Sequence, residues 1–160
     1  MELTEENENR AHVENIPSEF YLIGLINEFN NRFQAAGDLF FGELSWRQVF
    51  AINCISFFEK PPTIKNLAEL MGGSHQNTKQ ILTRLEKAGF IVMKRDSIDA
   101  RKQRIELTEK AGTFRAKHTE DSARFMQRLF AETDASDLVA TIRLITQLDE
   151  KLKNYQEEQQ

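Results

Sequence analysis

The spacing of apolar residues changes from a helical to an extended period at Gly89, and this change constrains the fold of the 160-residue chain more than any other feature. Before Gly89, apolar positions recur at helical spacing in two short segments, 63–73 and 74–88, which meet at a glycine pair. After it, residues 90–93 and 104–107 have the β-prone composition and alternation of two strands. The pattern predicts a helix-turn-helix unit followed by a β-hairpin.

Two further helices are predicted before this unit. The first runs from about Ser18 to Ala36, where Gly37, Asp38 and Gly42 interrupt the pattern. The second opens with a capping box at 45–48 and extends to about Glu59, before a proline pair. Its aromatic and aliphatic side chains are expected to be heavily buried, and these are Trp46, Val49, Phe50, Phe57 and Phe58.

Two longer helices are predicted after the hairpin. Thr108 is a good cap for a fifth helix that carries Phe114, His118, Phe125 and Leu129 on one face. A turn at 133–136 starts a sixth helix, whose apolar seam is suited to packing against another helix. The predicted fold class is therefore mainly α, with a small β-hairpin wing at 95–102.

Composition and motifs narrow the classes of protein that the chain can belong to. No run of about 20 apolar residues suited to crossing a bilayer is present, and the N-terminus is acidic, so a cytoplasmic protein without a membrane partner is expected. The single cysteine, Cys54, excludes an intramolecular disulfide and is expected to be a buried structural thiol. His12, His75 and His118 form no metal-binding spacing. Neither a metal, a cofactor nor an enzymatic activity is predicted.

The basic residues are concentrated in one segment. Residues 74–104 carry a net charge of +5 in a chain whose total is −4, so the remainder carries −9. Such an arrangement is typical of a surface that binds a polyanion, although a solvated helix face is the ordinary alternative.

The fourth helix presents a polar face that resembles a DNA-reading surface. A wheel of 100° per residue places Thr78, Ile81, Leu82 and Leu85 toward the core. Amide and cationic side chains then face outward, where Gln and Asn match the edge of adenine and Lys and Arg match guanine or phosphate. The outward and flanking positions are Gln76, Asn77, Lys79, Gln80, Thr83, Arg84 and Lys87.

The predicted wing carries Asp99 two residues before Arg101, with Lys102 next. A neighbouring carboxylate can hold an arginine in one conformation, ready for the narrow and negatively charged minor groove. Taken alone the pair could equally be a surface ion pair without a function.

The chain from about Phe20 to Tyr155 resembles the MarR (multiple antibiotic resistance regulator) family of winged helix-turn-helix transcription factors, and the resemblance is strongest from Leu85 to Lys110. The similarity rests on 85–91, Arg95, Asp99-Ala100-Arg101 and Leu107-Thr108, with Ala111 where many members have glycine. It implies that residues 74–84 enter the major groove, that Arg101 enters the minor groove and that Arg95 contacts the backbone. The full set of expected DNA-binding residues is Ser74, His75, Gln76, Asn77, Lys79, Gln80, Thr83, Arg84, Arg95, Asp99, Arg101 and Lys102.

The resemblance also implies a homodimer that binds a pseudo-palindromic operator in double-stranded DNA and responds to a small-molecule effector, as a repressor. Burial of the extra amphipathic helices argues for the dimer independently. The predicted division is a flexible acidic arm at 1–17, a helical dimerisation region at 18–44 and 108–157, and a winged helix-turn-helix DNA-binding domain at 45–107. The alternative is a winged helix that binds proteins and has no operator of its own.

Overall fold

Six helices and a two-stranded antiparallel sheet form the chain in the computed structural model, which describes residues 16–96, 99 and 101–158. The elements, in chain order, are α1 (Ser18–Phe41), α2 (Trp46–Ser56), α3 (Ile64–Met71), α4 (His75–Lys87), β1 (Ile91–Arg95), β2 (Gln103–Leu107), α5 (Glu109–Leu129) and α6 (Ala135–Glu158). This architecture confirms the predicted fold class. Only the last two positions of the expected acidic arm are among the described residues. His12 and Ala100 lie outside the described residues.

The chain divides into two units, Met1–Phe114 and Arg115–Gln160. The first holds α1 to α4, the hairpin and the beginning of α5, and the second holds the rest of α5 and α6. The sequence-based division into an arm, a dimerisation region and a DNA-binding domain stays a prediction.

The core of the first unit lies between the short helices and the hairpin. Large apolar side chains with almost no exposed surface fill it, among them Ile52, Leu67, Leu82, Leu85, Phe90, Ile91 and Ile105. Burial of this kind stabilises the folded state by about 25 cal/mol per Å² of apolar surface. The packing of α2, α3 and α4 against the hairpin therefore fixes the orientation of these elements relative to one another.

Local capping explains where the short helices begin. Ser45 and Gln48 form the predicted capping box of α2, and Thr63 forms a second one with Asn66 at α3. Ser74 accepts a hydrogen bond from the Asn77 amide at the start of α4. Each side chain satisfies an amide that has no partner within its helix.

The end predicted for α1 is wrong, because the helix passes through Gly37 and Asp38 and stops only before Gly42. Gly37 lies so close to α2 that an added Cβ would meet the Cβ of Trp46 at 2.9 Å. The glycine therefore allows two helices to approach and does not break one. The Asp38 carboxylate accepts a hydrogen bond from the Trp46 amide at 2.6 Å, while Gly42 ends the helix with a φ of 60°.

Two expectations for α2 are also wrong. The helix ends at Ser56, three residues earlier than predicted, and Phe57 is its C-cap. Val49 is buried as expected, but Phe50 is exposed and the Phe57 side chain is 72% exposed, since Phe57 lies past the last helical turn. Phe50 stacks beside Trp46, with ring centroids 6.1 Å apart, so it packs along the helix and not into the core.

The hairpin is longer than the sequence predicted. Its strands pair from Ile91 opposite Leu107 to Arg95 opposite Gln103, so Arg95 belongs to β1 and not to the loop. The free edge of β2 is covered by the segment before α3, where the Pro62 carbonyl accepts from the Ile105 amide at 3.0 Å. This bond ties the wing to the helix-turn-helix unit.

Candidate nucleic-acid interface

The buried face of α4 is the one that the sequence predicted. Thr78, Ile81, Leu82 and Leu85 are all buried, and the Thr78 hydroxyl donates to the Ser74 carbonyl at 3.0 Å. The helix is thus fixed in rotation about its own axis, and the opposite face is turned to solvent.

The outward face of α4 carries polar groups that are available to a ligand. Every other position that the sequence predicted for binding on this helix is exposed, from His75 to Arg84. Within the described residues, the side chains of Gln76, Lys79, Gln80 and Arg84 form no hydrogen bond or ion pair with another side chain or the backbone. Thr83 differs, since its hydroxyl donates to the Lys79 carbonyl at 2.9 Å and leaves mainly its methyl group for an apolar contact.

The one acidic side chain of α4 is used inside the protein. Glu86 accepts a hydrogen bond from the Met93 amide at 2.8 Å, which connects the last turn of α4 to β1. The bond covers a free backbone donor at the edge of the sheet. It also holds the only negative charge of the helix at the end farthest from Gln76.

The wing holds its arginine as the spacing predicted. Both the backbone amide and the Nε of Arg101 donate to Asp99 Oδ1, at 3.2 and 3.1 Å. Lys102 Nζ lies 3.6 Å from the other carboxylate oxygen. The hydrogen bonds from Arg101 are the main reason that the pKa of Asp99 is lowered below its ordinary value. The Arg101 side chain nevertheless remains 92% exposed, so the pair orients a guanidinium that a ligand can reach.

A groove of about 460 Å³ joins the two sets of residues. Its walls come from the beginning of α3, the beginning of α4 and the wing. The lining is mainly cationic and polar, and consists of Thr63, Ile64, Lys65, Asn66, His75, Lys79, Arg101, Lys102, Gln103 and Arg104. The groove makes one continuous surface of the α4 face and the wing.

Six of the ten groove residues are absent from the predicted set of binding residues, and these are Thr63, Ile64, Lys65, Asn66, Gln103 and Arg104. Lys65 was missed because α3 has no basic run. Lys65 is exposed and lies 3.9 Å from Glu69, while the Asn66 side chain serves the capping box. The signal that could have identified Lys65 is its position two residues after the cap Thr63, next to the turn that precedes α4.

Not all of the positive charge in 74–104 is free. Lys94 is paired with Glu106 at 2.6 Å, and Arg104 is paired with Asp96. Arg95 is exposed at the end of β1 and has no partner among the described residues. Among the described residues of 74–104, the cations without an ion-pair partner are therefore Lys79, Arg84 and Lys87 on α4 and Arg95 at the end of β1, whereas Arg101 and Lys102 share Asp99.

The structure also bears on Cys54, on possible metal sites and on possible membrane-spanning helices. Cys54 is buried, and burial raises the pKa of its thiol, so the thiolate form is disfavoured. Within 16–96, 99 and 101–158 no group of three His, Cys, Asp or Glu side chains is arranged to hold a metal ion. No helix in those residues is both long and apolar enough to cross a membrane.

The architecture is that of a winged helix-turn-helix protein, and several solved structures share this fold. A MarR protein from Peptoclostridium difficile has a TM-score of 0.79 at 15% identity, over 92% of this chain and 96% of its own. A MarR/EmrR family transcriptional regulator from Acinetobacter sp. ADP1 has a TM-score of 0.76 at 15% identity, over 87% and 99%. An organohalide-sensing transcriptional regulator, solved with bound 2,4-dichlorophenol, has a TM-score of 0.77 at 20% identity, over 94% and 89%.

The chain therefore has the fold of MarR family transcriptional regulators, and the resemblance drawn from 85–110 is confirmed at the level of the fold. No protein-family model and no curated protein matches the sequence.

Proposed function

We propose that this protein is a sequence-specific transcriptional regulator that binds double-stranded DNA as a homodimer. The observation that carries the proposal is the exposed amide and cationic face of α4, which a single cationic groove connects to an oriented arginine on the wing. Solved regulators with the same fold support it.

The dimensions and chemistry of α4 suit the major groove. The groove of B-DNA is about 12 Å wide and admits one helix, with the first turns contacting base edges. Gln76 and Gln80 lie on the exposed face one turn apart, where each amide can donate and accept at a base edge. Lys79, Arg84 and the hydroxyl of Ser74 are proposed to contact guanine or phosphate on either side.

The wing suits the minor groove. Arg101 is a single exposed guanidinium whose conformation is restricted by Asp99, which lowers the entropy cost of inserting it. A narrow minor groove concentrates negative potential and attracts such an arginine. Arg95 and Lys102, on either side of the loop, are proposed to contact the phosphates that border it.

A second copy of the chain is proposed to cover the apolar surfaces of the terminal helices. In the first unit, α1 exposes large apolar side chains, including Phe20, Ile23, Phe29 and Leu39. In the second unit, α6 exposes Leu138, Val139, Ile142, Ile145 and Leu152. Apolar surface of this extent is uncommon in monomers. In the symmetric pair, two α4 helices about 34 Å apart would bind the halves of a pseudo-palindromic operator.

A small-molecule effector that releases the operator is part of the proposal, so the regulator is expected to be a repressor. Support comes from solved structures of the same fold, one described as organohalide-sensing with 2,4-dichlorophenol bound and another solved with its natural ligand. No effector-binding residue is assigned.

A winged helix that binds proteins and not DNA is the second candidate. Protein interfaces are enriched in aromatic anchors and depleted of lysine. The α4 face has no aromatic residue between His75 and Lys87, and it carries Lys79, Arg84 and free amides. Its composition therefore favours the nucleic-acid function.

Selection from a random pool of DNA duplexes tests the proposal. The expected result is enrichment of one two-fold symmetric site, with half-sites about one helical turn apart. A variant carrying Gln76→Ala and Gln80→Ala serves as the matched control, because it keeps every charge and the buried face of α4. Recovery of no preferred sequence by the native protein would contradict the proposal. Repeating the selection with small phenolic compounds tests the effector.

A further inference from the structure

Asp96 is a buried acid at the base of the wing whose two oxygens serve two different donors. Its side chain is 5% exposed. Oδ1 accepts from the Asp99 amide at 2.8 Å, while Oδ2 accepts from Arg104 Nε. Burial of a carboxylate is costly unless it is paired and hydrogen-bonded, and this one is both.

Arg104 extends the connection from the wing to the helix-turn-helix unit. Its NH1 group donates to the Pro61 carbonyl at 3.1 Å, in the segment that leads into α3. We call Asp96, Arg104 and Pro61 the wing clamp. The clamp sits beside the backbone bond from the Ile105 amide to Pro62, so the hairpin is held to this segment at two adjacent points.

The wing clamp reaches Arg101 through Asp99. Asp96 holds the backbone amide of Asp99, and the Asp99 carboxylate in turn accepts from the Arg101 amide and Nε. A continuous series of hydrogen bonds therefore runs from Pro61 to the exposed guanidinium. Because the Pro61 segment leads into α3, and α3 packs against α4, the series fixes the guanidinium relative to the outward face of α4.

We propose that Asp96 is a positioning residue that, through Arg104 and Asp99, sets where the wing presents Arg101 relative to α4. The inference rests on the proposed function and deepens it, because the spacing between helix and arginine decides which DNA can be contacted by both at once. Asp96 itself touches no DNA in this proposal, and its negative charge is already neutralised by Arg104.

Asparagine cannot replace Asp96 in this role. It has one acceptor oxygen where the site needs two, and its amide group would face a second donor. Asp96→Asn is therefore expected to release either the Asp99 amide or Arg104. The matched control is Glu106→Gln, which removes an exposed ion pair with Lys94 from the same hairpin and leaves the wing clamp intact.

The decisive experiment is a double-mutant cycle between Asp96→Asn and Arg101→Ala, read as affinity for the selected duplex at fixed salt. We expect Asp96→Asn alone to weaken binding roughly 10-fold, which corresponds to the coupling energies found between contacting residues. In the Arg101→Ala background, Asp96→Asn should weaken binding no further. Glu106→Gln should change the affinity by less than about twofold. Native affinity in Asp96→Asn, or losses that multiply in the double variant, would overturn the proposal.

Two further measurements keep the test independent of folding and of the proposed function. Arg104→Lys keeps the charge but cannot reach Asp96 and Pro61 together, so the same dependence on Arg101 is expected in a milder variant.

Amide hydrogen exchange needs no DNA, and Asp96→Ala should accelerate exchange at Asp99 while the core amides of α4 stay protected. Unchanged exchange at Asp99 would overturn the wing clamp. Absence of duplex binding by the native protein, with faster exchange in the variant, would refute only the proposed function.

Discussion

The surface ion pair of Asp99 and Arg101 is expected to have little effect on stability, but under the proposed function it affects DNA binding. Exposed pairs contribute about 0–1 kcal/mol to folding, and Arg101 is almost fully exposed. In the proposed function, the pair reduces the number of conformations that the guanidinium samples before it meets DNA. The consequences of losing either partner should therefore appear in DNA affinity and not in the melting temperature.

Arg101→Ala is expected to weaken duplex binding by about 1 to 3 kcal/mol, because one charge-assisted contact in the minor groove is lost. Fluorescence anisotropy with the selected duplex at fixed salt measures the change. Arg32→Ala is the control, since Arg32 carries the same charge on α1, where it pairs with Glu28. Equal affinities of the native protein and Arg101→Ala would show that the wing does not reach the DNA.

The lowered pKa of Asp99 gives a pH prediction with a definite sign. A carboxylate whose pKa is depressed in the folded protein contributes above its unfolded pKa of about 3.9, and its contribution disappears only as the pH falls through the lower folded pKa. The ratio of native to Asp99→Asn affinity should thus stay constant from pH 8 to pH 5. Taking the ratio cancels pH effects that the native protein and the variant share. A ratio that changes between pH 8 and pH 5 would mean that Asp99 does not hold Arg101 as an ionised carboxylate.

At the scale of elements, the sequence correctly predicted the features that depend on residues close together in the chain. The caps Ser45, Thr63 and Ser74 depend on neighbouring residues, and all three are confirmed. The buried face of α4 follows from one helical period and is confirmed as well. The end of α1 was wrong, because Gly37 is placed by a contact with Trp46 that lies nine residues away.

The same distinction holds within the candidate site. Asp99 and Arg101 lie two residues apart in the sequence, so their ion pair could be predicted from the spacing. The wing clamp joins residues 61, 96 and 104, and its geometry depends on the hairpin register and on the segment that covers β2. Arg104 was counted in the sequence only as one more positive charge.

Gly37 gives a stability prediction at this scale. Alanine usually stabilises a helix by about 1 kcal/mol relative to glycine, but at this position its Cβ would meet Trp46 at 2.9 Å. Gly37→Ala is therefore expected to lower the melting temperature by separating α1 from α2. Gly112→Ala in α5 is the control, because nothing lies within 4 Å of its added Cβ, and it should be neutral or stabilising. Thermal melts followed by circular dichroism compare the two, and a stabilised Gly37→Ala would contradict the close approach.

At the scale of the whole molecule, the proposed dimer should depend on the exposed apolar side chains of α6. Ile142→Glu places a charge in the middle of that surface, and we expect it to convert the dimer to a monomer, because a desolvated and unpaired carboxylate is costly. Analytical ultracentrifugation measures the change. The neighbouring Arg143→Glu, which also adds an acid to α6, should leave the mass unchanged. A native protein that sediments as a monomer would refute the dimer, and a dimeric Ile142→Glu would place its interface elsewhere.

The response of DNA affinity to salt tests the dimer and the cationic groove together. Each phosphate that the protein neutralises releases counterions and makes the slope of log K against log salt steeper by about 0.9. In a symmetric dimer each contact occurs twice, so its effect on the slope is doubled. The native slope should be steep, and Lys65→Ala should reduce it by about 2, one contact for each copy, while lowering affinity equally for all sequences. Lys151→Ala on α6 is the control, since Lys151 lies in the second unit and outside the groove residues. An unchanged slope in Lys65→Ala would exclude α3 from the DNA contact, and a flat native slope would exclude phosphate contacts altogether.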